Sequence, residues 1–351
     1  MSKFLSERFS GLRAYVPGEQ PRDKKYIKLN TNEFPYPPSP VVFEAINRDC
    51  LCDLRLYSDP ECKRLKELIA ERYKVGIQNV FIGNGSDEVL SYIFMAFCDK
   101  NVGVSYPDIS YGFYSVFADL YGLRKNEVPL REDFTVAPDD YRELGTTIVI
   151  ANPNAPTGLC LPLADIEKIA ASNRMNIVAI DEAYVDFGGE TCIGLIEKYD
   201  NLLCVQTFSK SRGLAGARLG FAIGSEAVIS DLERLRYSTN PYNVNSMTLQ
   251  IGIAAMQSGE YYDNAAAKIV ETREFVAGKL REMGFSLDNS KTNFLFAKHE
   301  RVAGKDIYLR LKERGVLVRH FDMPRISDYI RITIGTQEDM EAMLRILSEV
   351  L

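Results

Sequence analysis

Histidine is nearly missing from this chain. There are two in 351 residues, His299 and His320, both late. A serine–histidine–acid hydrolase or a histidine-rich metal site would have to use one of them, which all but closes two large enzyme classes. Cysteine is equally sparing. The seven, at positions 50, 52, 62, 98, 160, 192 and 204, are odd in number and include no C-x-x-C pair. Cys50 and Cys52 form a lone C-x-C with no second pair to complete a zinc site, so no metal is expected. The thiols read as reduced and intracellular. Long apolar runs are missing too. The N-terminal Met-Ser-Lys-Phe-Leu-Ser-Glu-Arg lacks the apolar core of a signal peptide. The uncharged stretches 144–164 and 237–259 are interrupted by Asn, Pro, Ser and Thr, which argues against membrane spans. A cytoplasmic protein with no membrane partner is expected.

What is present is ordinary for a globular chain: 46% hydrophobic and 26% charged residues. Disordered, collagen-like and coiled-coil classes are excluded on that balance. Lys and Arg number 42 against 48 Asp and Glu, a formal net charge of −6, which argues against nucleic acid as a partner. At about 150 residues per domain, the length implies two domains.

The first sixty residues are irregular, with Pro35, Pro37, Pro38 and Pro40 clustered where no long helix persists. From Cys62 onward, helical spacing alternates with short β-branched runs. Residues 63–74 read as a helix, 79–82 as a strand, and 86–98 as a helix with Ser86 as its N-cap. Strands near 102–105, 147–151, 177–180 and 202–205 follow, with helices at 111–120 and 163–172 between them. This alternation predicts an α/β fold with a mostly parallel sheet covered by helices. After Tyr237 the texture changes. Helices near 243–257 and 260–283 lead into runs at 293–297, 315–319 and 329–334, with helices at 304–313 and from Gln337. That is a smaller α+β unit, joined by the N-terminal segment. The expected division is 1–40 (arm and part of the small domain), 41–240 (large domain) and 241–351 (connecting helices and small domain).

Polar signal concentrates at the ends of the predicted strands, where open α/β sheets place ligands. Gly83-Asn-Gly-Ser-Asp-Glu88 joins a strand to a helix and offers free N–H groups to an anion. A tight turn with an ordinary cap reads equally well. The segment lacks both the third glycine of a dinucleotide fingerprint and the lysine of a P-loop. Asp181 ends an apolar strand, as a carboxylate needing a partner or as a helix cap. Lys210 follows another, flanked by Ser209 and Ser211, with Gly213, Gly216 and Arg218 beyond. A lysine held in an interior site loses its proton and attacks carbonyls, and Arg218 suits a phosphate. A solvated basic loop is the plain alternative.

Asn152-Pro-Asn-Ala-Pro-Thr-Gly158, Asp181-Glu-Ala-Tyr184 and Ser209-Lys210 with Leu214-Ala-Gly216 and Arg218 resemble, in order and spacing, the motifs of fold-type-I pyridoxal-phosphate aminotransferases. Leu12-Arg-Ala-Tyr15-Val-Pro-Gly18, Leu29-Asn-Thr-Asn-Glu33, Tyr57-Ser-Asp-Pro60, Tyr111-Gly-Phe-Tyr114 and Arg331-Ile-Thr-Ile-Gly-Thr336 narrow the resemblance to the histidinol-phosphate aminotransferase family. It runs from about residue 12 to the C-terminus.

The resemblance implies the fold-type-I architecture, a seven-stranded type of sheet in the large domain, and pyridoxal 5'-phosphate as cofactor. Lys210 would attach the cofactor and carry the proton. Asp181 would pair with the ring nitrogen, and Tyr184 would bond the ring hydroxyl. Gly85, Ser86, Ser209 and Arg218 would hold the phosphate, with Asp87 in the same cofactor-binding set. Tyr57 would contribute from the neighbouring subunit of a homodimer. Tyr111 would stack on the ring or serve as a core aromatic. Arg331 would take the α-carboxylate of the co-substrate. Arg319 and Tyr15 would take the substrate phosphate, although Arg319 suits a surface position as well. The family commonly has Asn directly before Pro-Thr-Gly, where this chain has Ala155, so Asn154 takes that role or Tyr184 acts alone.

The implied reaction moves an amino group between L-glutamate and imidazole-acetol phosphate, yielding 2-oxoglutarate and L-histidinol phosphate for histidine biosynthesis. An aromatic-amino-acid aminotransferase and a threonine-phosphate decarboxylase share the same cofactor motifs. From other classes, a ligand-sensing module without catalysis is opposed by the retained Lys210. A nicotinamide-dependent dehydrogenase is opposed by the incomplete glycine fingerprint.

Overall fold

The strands Thr147–Ala151, Val178–Asp181 and Leu202–Thr207 are buried at every position, as strands covered on both faces must be. They form the centre of a seven-stranded sheet in this computed structural model, which describes residues 2–351. The order across the sheet is Val80–Gly83, Gly220–Gly224, Leu202–Thr207, Val178–Asp181, Thr147–Ala151, Val104–Pro107, Lys125–Val128. Only Gly220–Gly224 runs against its neighbours; the remaining pairs are parallel.

Because side chains alternate along a strand, the sheet builds two cores. One face carries Ile148, Ile150, Ile180 and Cys204 against Leu65, Ile69, Ile166 and Ile169 of the helices Lys63–Tyr73 and Leu163–Ser172. The other carries Val149, Ala179 and Val205 against Val89 and Ile93 of the helix Ser86–Phe97 and Phe117 of the helix Phe113–Tyr121.

A second, antiparallel sheet has the order Arg319–His320, Tyr329–Thr333, Phe294–His299, Phe285–Leu287. The helices Gly259–Glu282, Gly304–Glu313 and Gln337–Val350 share its core. The N-terminal segment joins the same unit at two points, the first as a separate two-stranded sheet. Ile27–Lys28 pairs in parallel with Val316–Leu317, and the Thr333 N–H donates to the Leu29 carbonyl at 2.9 Å. The helix Ser246–Gln257 packs instead on Pro40–Ala45 and Lys63–Tyr73, with Leu249, Ala254 and Ala255 in the core of the large sheet. No helix among the described residues is long and apolar enough to cross a membrane.

Several elements differ from the pattern reading. Ser86 is the first helical residue rather than the cap; Gly85, at φ +85°, holds the cap position, a left-handed conformation that a side chain disfavours. The run 315–319 divides into two strands in different sheets, with Val318 between them. The helix Glu226–Thr239 and the strands Lys125–Val128 and Gly220–Gly224 are additional to the predicted set.

Candidate active site

The parallel strands end on one edge of the large sheet, and the register places Gly83 and Thr207 on either side of Gly220, with Asp181 nearby beside Ala151. The turn after Gly83 lies directly on Gly220. A Cβ there would meet the Ser86 nitrogen at 2.4 Å and the Gly85 carbonyl carbon at 2.6 Å, both backbone atoms. Glycine is thus what allows the start of the helix Ser86–Phe97 to sit over the sheet edge. Gly220→Ala should push that turn outward and destabilise the fold by about 1–3 kcal/mol. Thermal melts and titration of inorganic phosphate against the variant check it; unchanged melting would refute the contact.

A cavity of about 140 Å³ opens at this edge, lined by Ser86, Asp181, Thr207, Ser209, Lys210 and Arg218, among others. It shares Tyr111, Ala155, Tyr184 and Lys210 with a larger cavity of about 330 Å³ that reaches Arg319 and Arg331. The two meet at Lys210. Its Nζ donates to the Thr31 carbonyl at 3.4 Å and lies 5.6 Å from the centre of the Tyr184 ring. The loop that carries it is fastened by the buried Arg212, paired with Asp186 at 2.8 Å, and by Ser211, which donates to the same carboxylate.

Asp181 is buried and forms no salt bridge among the described residues. Its carboxylate accepts from the Tyr114 hydroxyl at 2.9 Å and from the Ala183 N–H at 3.2 Å. Burial pushes its carboxyl up to about 6, and these two donors only partly offset that. Tyr184 accepts a hydrogen bond from Asn32 Nδ2 at 2.8 Å. Tyr111 donates to Asp87 Oδ1 at 2.8 Å, and Asp87 pairs with Arg218 at 2.9 Å, so these three form one chain along the cavity mouth. Burial, then Asp87, pushes the Tyr111 phenol up, which keeps it a donor.

In the larger cavity Arg331 is held over the rings of Phe294 and Phe321 and donates from Nη2 to the Asn30 carbonyl at 3.1 Å. Its buried Nε has no hydrogen-bond partner among the described residues. Burial lowers its pKa, and Arg319 adds to that. Tyr15 packs on Phe113, with ring centres 4.2 Å apart, and faces the same cavity.

Two expected residues lie elsewhere. The Asn154 amide is used up by the Ile109 carbonyl, Thr157 and Ser110, and Ala155 faces both cavities in its place. Tyr57 is 82% exposed and stacks on Tyr242, outside the cavities of its own chain. Two contributors had no assigned role in the sequence. Asn32 lies within the Leu29–Glu33 motif, and Tyr114 ends the Tyr111–Tyr114 motif, so both motifs carried the signal without showing which residue points where.

The fold and this site define a class of enzyme, and the chain belongs to the class I and II aminotransferase family, whose model matches residues 24–347. Its relatives include the histidinol-phosphate aminotransferase of Brachyspira hyodysenteriae, 50% identical over 97% of each chain. The histidinol-phosphate aminotransferase of a Marinomonas species is 49% identical over 98% of each chain. Among solved structures, the Sinorhizobium meliloti histidinol-phosphate aminotransferase in complex with pyridoxal-5'-phosphate superposes with a TM-score of 0.86. That match has 25% identity and covers 93% of this chain and 91% of the other.

Proposed function

We propose that this chain is a pyridoxal-phosphate-dependent transaminase that moves the amino group of L-glutamate to imidazole-acetol phosphate, yielding L-histidinol phosphate and 2-oxoglutarate in histidine biosynthesis. One observation carries the reading. A lysine sits where two cavities meet, one holding a buried carboxylate that forms no salt bridge among the described residues and the other a pair of guanidiniums.

The smaller cavity fits the cofactor on its own chemistry. Asp181 calls for a cationic partner, and the ring nitrogen of the cofactor is one once protonated. Ser86, Ser209, Arg218 and the free N–H groups at the start of the helix Ser86–Phe97 would hold its phosphate. Pyridoxal phosphate, when bound, supplies the carbonyl that takes up and returns the amino group and the ring that accepts electron density. Lys210 would hold it covalently and move the proton at the substrate Cα. Asp181 would keep a proton on the ring nitrogen, and Tyr184, oriented by Asn32, would bond the ring hydroxyl. Tyr111 would close one side of the ring.

Arg331 would take a carboxylate, because planar bidentate recognition needs a guanidinium and its Nε is free. Arg319 and Tyr15 would take the phosphate. Two guanidiniums in one cavity answer the need for a site that accepts a carboxylate in one half-reaction and a phosphate in the other.

The working form is a homodimer in the cytoplasm, with Tyr57 reaching the partner's site; the exposed Phe43, Leu51, Leu54 and Leu56, which precede it in the chain, support a covered surface. The functional units are the arm 1–40, the large domain 41–240 and the small domain with its connecting helices, 241–351.

The visible absorbance of the cofactor-loaded protein tests the reading. L-histidinol phosphate should bleach the band and 2-oxoglutarate should restore it. A band that ignores histidinol phosphate and bleaches with phenylalanine would replace this substrate with an aromatic amino acid.

A further inference from the structure

One wall of the larger cavity is a single turn of chain between the strands Arg319–His320 and Tyr329–Thr333. From this turn Phe321, Met323 and Ile326 face the cavity. The Phe321 ring lies within reach of two cations, its centre 5.8 Å from Cζ of Arg319 and 5.6 Å from Cζ of Arg331. Phe296 supports it edge-on at 6.1 Å. Two like charges sharing a cavity repel, and an aromatic ring within reach of both attracts each of them and offsets part of that repulsion.

The turn is fastened across the cleft by Arg325. Its Nη1 reaches Asp108 Oδ2 at 3.2 Å, and its Nη2 donates to the carbonyls of Leu130 at 3.1 Å and Arg131 at 2.6 Å. The guanidinium also lies 5.4 Å from the centre of the Phe134 ring. The backbone of Arg325 is left-handed, with φ +67°, a conformation a non-glycine residue keeps only when its surroundings enforce it. The next residue, Ile326, is buried among Ile109, Leu130, Phe134 and Phe296. Asp108 in turn begins the segment carrying Ile109 and Tyr111, which also line the cavity. Arg325 therefore ties two lining segments of the substrate cavity together without facing into it.

We propose that Arg325 is a positioning residue for substrate selection: by clasping the 321–326 turn to Asp108, Leu130 and Arg131 it keeps Phe321 within reach of both Arg319 and Arg331, so that the cavity presents two guanidiniums together and favours a substrate bearing a phosphate. This rests on the functional reading above. The test compares the holoenzyme with Arg325→Met and Arg325→Lys in single-turnover half-reactions with L-histidinol phosphate and with L-histidinol. Arg325→Met should lower the preference for the phosphate ester about tenfold, the scale of one lost charge-assisted hydrogen bond, and mainly through KM. Arg325→Lys should recover part of it. Phe321→Leu, which leaves the clasp intact, should lower the same ratio and provides the test if Arg325→Met fails to fold. Equal losses on both substrates, or an unchanged ratio, would overturn the clasp's role in selection. A wild-type enzyme with no preference for the phosphate ester would overturn the functional reading, and the proposal with it.

Discussion

Lys210→Ala is expected to cost at least about ten-thousandfold in transamination rate, since both a nucleophile and a proton carrier are lost with one amine. The position leaves no substitute. Among the described residues Lys210 is the one amine lining either cavity, and its one hydrogen bond to them, a 3.4 Å contact to the Thr31 carbonyl, leaves it free to turn between them. The loop around it does not depend on the amine. Burial would raise the Asp186 carboxyl, but the Arg212 guanidinium and the Ser211 hydroxyl outweigh that and hold it below the usual range. The variant should therefore fold and melt as wild type does. Borohydride reduction followed by peptide mapping should fix the cofactor to Lys210 in the wild type and leave it removable from the variant. Turnover with covalently retained cofactor in Lys210→Ala would refute the assignment.

The centre of the large sheet was legible because its strands are fully buried and mostly apolar, and the reactive residues follow those strands within a few positions. Asp181 ends one strand, and Lys210 lies three residues past the end of another. The strand Gly220–Gly224 was not, because two of its five residues are glycines that give no β signal. Gly220 is there to let Ser86 approach, a contact between segments more than a hundred residues apart that no local pattern encodes. Lys125–Val128 is an edge strand with three exposed residues, so its alternation carries little information. The helix Glu226–Thr239 is polar over most of its length and buries only Ile229, Leu232 and Arg236, too narrow a stripe to stand out. Within the site, motif membership gave the neighbourhood and tertiary contact decided the direction. Asn154 is drawn away by Ser110, Thr157 and the Ile109 carbonyl, while Asn32, anchored through Thr333, is the amide that reaches Tyr184.

Asp181→Asn should move stability and activity in opposite directions. In the protein without cofactor, burial raises the Asp181 carboxyl from 3.8 to about 6. The unfolded chain keeps the ordinary value, so folding above pH 6 must place a charge in a buried site. The cost is absent below the unfolded value, grows between the two, and is complete above the folded one; two units correspond to about 3 kcal/mol. Asparagine removes that charge; its amide oxygen takes the place of the carboxylate oxygen that accepts from the Ala183 N–H, and its NH2, in the place of the other oxygen, donates to the Tyr114 hydroxyl, which turns to accept. The cofactor-free variant should therefore melt higher than wild type at about pH 8, with the gap closing as the pH falls toward 4. Bound cofactor reverses the balance. A protonated ring nitrogen beside the carboxylate offsets the burial cost in the wild type and has no counter-charge in the variant, so the cofactor should raise the melting temperature of the wild type more. Turnover in the variant should fall about a hundredfold to a thousandfold, the scale of losing one fixed charge aimed at the reacting system. Melts at both pH values, with and without pyridoxal phosphate, separate these effects. A cofactor-free variant less stable than wild type at about pH 8 would mean that Asp181 is held by its two donors well enough to need no cation, and the reason for placing the ring nitrogen beside it would fall.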